Sequence, residues 1–194
     1  MILASSSKQR KLLMEELFDD FLCKPVDIDE TFDKALSVYE NVKNVAYSKG
    51  LESIKINNIQ NDIVISLDTI VYCDNKVLLK PKSYDEAFNM IKSYEDSSQE
   101  VITGIGFFIV KNGKIVKEYK ENVVSKVNFT NLSDEKIHMW LEQDLYRYCS
   151  GGFMIEKVEK SLGVKIDGSY FNVIGVPIER IKEILIENDI EFKM

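Results

Sequence analysis

The chain has 194 residues, 45% hydrophobic and 29% charged, with a formal net charge of −7. That balance fits a soluble globular protein with enough chain to bury a sizeable core, as one domain or as two small lobes. It argues against a binder of nucleic-acid polymers, which needs a basic surface, and no apolar run reaches the length of a membrane span.

The start of the chain does not read as a signal peptide, because Met1-Ile2-Leu3-Ala4 gives way at once to polar residues. Cys23, Cys73 and Cys149 are scattered without metal-ligand spacing, which suits a reduced, cytoplasmic protein. The single histidine, His138, falls in a helical pattern, which argues against a Ser-His-Asp triad or a histidine-built metal site.

In chain order, Met1 to Ala4 reads as a short buried strand. Ser7 is placed to cap a helix running to about Leu17, with Leu12, Leu13 and Leu17 at helical spacing. Phe21 to Lys24 is a second strand candidate, followed by the acidic loop Asp27-Ile28-Asp29-Glu30-Thr31. Val38 to Ile54 carries a helical period. Ile63 to Leu67 is rich in β-branched residues and runs as a strand through Asp68-Thr69 into Ile70-Val71-Tyr72. Asp74-Asn75-Lys76 reads as a turn with Val77 to Leu79 as its return strand. Ser83-Tyr84-Asp85-Glu86 is a capping-box pattern for a helix to about Tyr94.

Gln99 to Val110 and Lys114 to Phe129 form two long strands joined at Asn112-Gly113, a strong hairpin signal. Ser133-Asp134-Glu135 opens a helix to about Glu142. Glycine-containing loops, a strand near Val164 to Ile166 and a helix after Pro177 complete the chain. Helices and strands alternate first and a hairpin follows, which predicts an α/β fold. Its expected form is a mixed, curved sheet flanked by helices, with two lobes around a central substrate cleft.

Five groups of residues could carry chemistry. Ser5-Ser6-Ser7-Lys8-Gln9-Arg10 joins a strand to a helix N-terminus, where free N–H groups, hydroxyls and a forked cation suit phosphate. It lacks the glycines of a Walker A loop. Taken alone, it fits a plain helix cap with a solvated basic turn. Asp68-Thr69 ends the most hydrophobic strand, where a carboxylate could hold a metal or act as general base; it could equally start a turn.

Glu30 would be a second carboxylate from a separate segment, or part of a solvated acidic run. Lys49 and Lys80 could neutralise phosphate in a cleft or simply solubilise the surface. In Cys149-Ser150-Gly151-Gly152-Phe153-Met154-Ile155-Glu156 the glycines allow close backbone approach, and Glu156 could accept N–H groups of a base. The same stretch fits an ordinary turn leading into a strand.

The order of these pieces is more specific than any one of them. Leu3-Ala4-Ser5-Ser6-Ser7 with Arg10, Glu30, Ala46-Tyr47-Ser48-Lys49 and Asp68-Thr69-Ile70-Val71 come first. Lys80-Pro81, Val101-Ile102-Thr103-Gly104 and Asn172-Val173-Ile174-Gly175-Val176-Pro177 follow. In that order the sequence resembles the Maf family of nucleotide pyrophosphatases across essentially its whole length. The resemblance implies a single Maf-like domain over residues 1–194, of the Maf/ITPase-like kind, and in many members a homodimer. It implies hydrolysis of a nucleoside triphosphate between the α and β phosphates, with Mg²⁺ or Mn²⁺.

By the same resemblance, Asp68 is the proton acceptor for the attacking water, and Glu30 with Asp68 holds the metal. Ser5, Ser7, Arg10, Lys49 and Lys80 bind phosphates. Gln9, Thr69, Cys149 and Glu156 stand at substrate-facing positions.

The chain departs from the family pattern at several points. Lys8-Gln9-Arg10 stands where Pro-Arg-Arg is frequent, and Cys149 stands where the dTTP- and UTP-acting subgroup has lysine. Cys149 and Glu156 look more like the subgroup acting on 7-methyl-GTP, whereas Asp68-Thr69 does not. The resemblance therefore leaves the preferred base open between these two kinds.

Overall fold

The structure is a computed structural model that describes residues 1–193, with only the backbone described at Asp96. Among the described residues seven strands form one sheet in the order β2-β1-β3-β5-β6-β7, with β4 paired to β3. Strands β1 (Ile2–Leu3), β2 (Leu22–Cys23) and β3 (Asp62–Cys73) are parallel neighbours, whereas β4 (Lys76–Leu78) is antiparallel to β3. Strands β5 (Gln99–Lys111) and β6 (Lys114–Phe129) are joined at Asn112 and Gly113, both at positive φ as a tight hairpin turn requires. The last strand, β7 (Val164–Asp167), runs antiparallel to the end of β6.

Helices α1 (Lys8–Glu15), α2 (Val38–Ile56), α3 (Tyr84–Lys92) and α4 (Asp134–Leu141) each start at a serine whose hydroxyl accepts a backbone N–H. These caps are Ser7, Ser37, Ser83 and Ser133, and each satisfies a donor that the helix cannot use itself. The mixed α/β class expected from the sequence is therefore observed. Two elements differ from expectation. Residues 149–156 do not lead into a strand; they make a short turn and then a four-residue helix, α5 (Ile155–Val158). A further short helix, α6 (Tyr170–Ile174), lies in the stretch read as loop, and α7 (Ile178–Glu187) follows Pro177 as expected.

The chain forms two compact units. The first comprises Met1–Thr69, Thr103–Val123 and the chain from Gly175 onward; the second comprises Ile70–Ile102 and Val124–Ile174. In the first unit, one core gathers Leu3, Met14, Leu67, Phe107, Ile181 and Leu185, and another gathers Ile2, Val64 and Phe108. In the second unit, Val71, Ile91, Tyr94, Val127, Trp140 and Phe153 form the core. His138 packs within this second unit, its Nδ1 2.7 Å from the Tyr84 hydroxyl and its ring stacked on Phe88. Among the described residues no helix is long and apolar enough to cross a membrane.

Candidate functional site

Glycine and serine bring α2 close to the sheet. A Cβ on Gly104 would overlap the Val42 carbonyl oxygen of α2, and one on Gly50 would overlap the Phe108 ring. Ser66, fully buried in β3, donates to the Ala46 carbonyl of α2 at 2.7 Å. This tight seating carries Lys49, a residue in the middle of α2, to the end of the apolar run in β3. Lys49 Nζ lies 2.7 Å from Asp68 Oδ1 and 2.8 Å from Glu30 Oε1. The side chains of Lys49 and Asp68 are each only 12% exposed, so this ion pair is shielded; Glu30 is 54% exposed and closes it from the loop side. Two carboxylates and an ammonium from three separate elements thus meet at one point.

The opening segment adds to this group. Ser5 is buried, and its Oγ accepts from the Ser7 N–H at 3.3 Å and from Arg10 Nη1 at 3.4 Å. With both lone pairs engaged, what this hydroxyl can still offer is its O–H, which suits an anion. Ser7 caps α1 by accepting the Arg10 N–H at 3.4 Å, and its hydroxyl lies 3.5 Å from Gln9 Oε1. Gln9 itself is exposed.

Arg10 behaves differently from a free phosphate clamp. Its Nε donates to the Gly175 carbonyl at 3.2 Å, Nη1 to the Leu67 carbonyl at 2.8 Å, and Nη2 to Thr69 Oγ1 at 2.9 Å. Together with the Ser5 contact, four of the five guanidinium N–H groups meet protein acceptors. Burial pulls the Arg10 pKa down, and Asp68 and then Glu30 push it back up. Thr69 passes the fixation on, its hydroxyl 3.0 Å from that of Thr103, which is fully buried in β5. The fork therefore holds both neighbours of Asp68, Leu67 by its carbonyl and Thr69 by its hydroxyl.

Thr103 and Gly175 are members of this constellation that were not among the candidate site residues. Their signal lay in the stretches Val101 to Gly104 and Asn172 to Pro177. A Cβ on Gly175, which has φ of 108°, would press to 3.1 Å from Thr69 Oγ1.

Lys80, Cys149 and Glu156 belong to the second unit, where Glu156 and Lys80 both act electrostatically on Cys149. The loop carrying Cys149 turns through Gly151 and Gly152, both at positive φ. Two buried aromatic residues fix it: Tyr94 donates to the Gly151 carbonyl at 2.7 Å, and Trp140 Nε1 donates to that of Gly152 at 2.9 Å. The Gly151 N–H donates in turn to the Leu79 carbonyl, beside the exposed Lys80. Cys149 Sγ donates to the Leu145 carbonyl at 3.4 Å. Its thiol is pushed up to about 11, first by burial and then by Glu156, against an opposing pull from Lys80. A cation, an acid and a neutral thiol therefore share one electrostatic neighbourhood, with Glu156 exposed on α5.

A family described as "Maf-like protein" matches residues 1–188. A "dTTP/UTP pyrophosphatase" of Alkaliphilus oremlandii is 37% identical over 186 residues, covering 95% of this chain and 94% of that protein. One of Clostridium botulinum is 35% identical over 190 residues, covering 96% and 98%. One of Fusobacterium nucleatum is 35% identical over 183 residues, covering 94% and 92%.

Proposed function

The chain belongs to the Maf-like family, and from that premise we propose that it hydrolyses a nucleoside triphosphate between the α and β phosphates, releasing the monophosphate and pyrophosphate. The observation that carries this reading is the Asp68–Lys49–Glu30 cluster, with both carboxylates within 2.8 Å of one ammonium. Asp68 accepts the proton of the attacking water. Lys49 and the Ser5 and Ser7 hydroxyls meet phosphate oxygens, and Arg10 adds its charge while holding Asp68 in place. Lys80 also neutralises phosphate charge.

The donor set fits Mg²⁺ or Mn²⁺. Glu30 and Asp68 already converge on a cation, and such ions take one or two carboxylates and complete their shell with phosphate oxygens and water. Bound there, the ion would supply Lewis acidity to the triphosphate. We take residues 1–194 as one functional domain of a cytoplasmic homodimeric enzyme that removes non-standard or surplus nucleotides.

The named relatives make dTTP and UTP the first candidate substrates. Glu156 favours a second reading, 7-methyl-GTP, because a carboxylate accepts both the N1–H and the N2–H₂ of guanine. One experiment addresses both. Pyrophosphate release is measured on dTTP, UTP and 7-methyl-GTP with Mg²⁺, for the wild type and for Glu156→Gln. Folded protein with no turnover on any triphosphate defeats the pyrophosphatase reading, and an unchanged substrate ranking in Glu156→Gln defeats the base-reading role. Asp68→Asn is expected to lower turnover by about 10²- to 10⁴-fold while nucleotide binding persists. Equal hydrolysis by the variant and the wild type would instead mark a nucleotide-binding protein without turnover, and inorganic phosphate as product would mark a different phosphohydrolase.

A further inference from the structure

The glycine turn before Glu156 is held by two side chains that no step of the reaction uses. Tyr94 and Trp140 are each 1% exposed and sit in the core of the second unit. The Tyr94 ring stacks on Phe129 at 5.5 Å and meets Phe153 edge-on at 6.1 Å, so packing already fixes it. A phenylalanine would make the same ring contacts. What the hydroxyl adds is one hydrogen bond, 2.7 Å to the Gly151 carbonyl. Trp140 likewise gives its indole N–H to the Gly152 carbonyl at 2.9 Å. An indole nitrogen only donates, and burial pushes the Tyr94 phenol up, so both groups stay donors at physiological pH.

The two carbonyls belong to consecutive residues at positive φ, outside any strand, so no sheet partner fixes them. On its other contacts the turn is tied to the segment that carries Lys80. The Gly151 N–H donates to the Leu79 carbonyl at 3.3 Å, and a Cβ on Gly152 would come within 3.5 Å of Pro81 Cγ. Cys149 leads into the turn and Glu156 follows it, and both Glu156 and Lys80 act electrostatically on the Cys149 thiol. One rigid turn therefore sets the places of all three side chains.

We propose that Tyr94 and Trp140 are positioning residues for substrate. Through the Gly151 and Gly152 carbonyls they fix where Lys80, Cys149 and Glu156 stand, and so set nucleotide affinity and base preference. The proposal rests on the reading that these three residues face the substrate. It is separate from the chemistry assigned to Asp68, which neither aromatic residue touches.

Tyr94→Phe removes one oxygen and leaves the ring. Ile137→Val trims the same core without a polar group and serves as the control. Thermal melting verifies that each variant is folded. KM and kcat are measured on dTTP, UTP and 7-methyl-GTP with Mg²⁺, and Kd is measured by calorimetry for the non-hydrolysable α,β-methylene analogue of dTTP. Tyr94→Phe is expected to raise KM and Kd by about tenfold, to change the ranking of the three nucleotides, and to leave kcat within about threefold. Trp140→Phe should act in the same direction, and Ile137→Val should match the wild type. Iodoacetamide should also label Cys149 faster in folded Tyr94→Phe, because a freed turn exposes the thiol.

KM and Kd that are unchanged in Tyr94→Phe, or shifted equally in Ile137→Val, overturn the positioning role and leave the pyrophosphatase reading intact. A wild type that binds the analogue without any turnover sinks that reading, and the Kd values still decide the role of Tyr94. A folded wild type that neither binds nor turns over a nucleotide overturns both.

Discussion

Arg10 illustrates how a residue type points to chemistry without fixing what it does. Its position beside three serines suggested an open grip on phosphate. The fold instead engages its fork with Gly175, Ser5 and the two residues that flank Asp68, Leu67 and Thr69. Lysine keeps the charge but cannot reach several acceptors at once. Arg10→Lys should therefore lower the stability by about 2 kcal/mol, from carbonyls left unpaired, and lower kcat more than it raises KM. Urea denaturation and steady-state kinetics check the two arms.

Cys149 makes a second case at this scale. Its thiol is raised from an ordinary 9.0 to about 11, mainly by burial. A raised folded-state value means that the fold holds the proton more tightly than the unfolded chain does. The associated stability is fully present below 9.0 and is lost as the pH climbs through about 11. Iodoacetamide labelling of Cys149, followed by mass spectrometry against exposed Cys23, should rise only in that window.

At the scale of elements, the caps were legible and the irregular turns were not. Serine at positions 7, 83 and 133 announced three helices because a hydroxyl before a helical period satisfies orphan N–H groups. Residues 149–156 carry no such signal: their turn at Gly151 and Gly152 is held by Tyr94 and Trp140. Helix α6 is capped by Ser169, which accepts the Asn172 N–H at 3.0 Å, but its seating depends on Asn172 donating to the distant Val101 carbonyl and Ser125 hydroxyl.

Seating of α2 on the sheet is the element-level feature on which the site depends. Gly104→Ala drives a methyl into the Val42 carbonyl, a backbone atom that cannot swing aside. It should cost about 1–3 kcal/mol and displace Lys49 from Asp68. A lowered urea midpoint together with reduced turnover would confirm the link; an unchanged midpoint would show that the helix yields freely.

Across the whole molecule, each compact unit is assembled from separate stretches of chain, three for the first and two for the second. The last of these carries Val176, Ile178, Ile181, Ile184 and Leu185 into the first unit's core. Burying each such side chain is worth about 1.5–3 kcal/mol, so losing them together rivals the roughly 5–15 kcal/mol that holds a domain folded. A chain ending at Ile174 should therefore lack near-ultraviolet circular dichroism and a cooperative melt.

By itself the sequence determined the α/β class, the long hairpin, most helix starts and the family, because hydrophobic period, capping residues and motif order are written locally. Tertiary structure alone decided that Lys49 bridges Asp68 and Glu30, that Arg10 is turned toward the main chain, and that Thr103 and Gly175 complete the group. Those outcomes depend on which strands lie side by side and how closely a helix can approach them. Residues such as Arg10 and Gly175, 165 positions apart in the chain, meet only when the sheet forms.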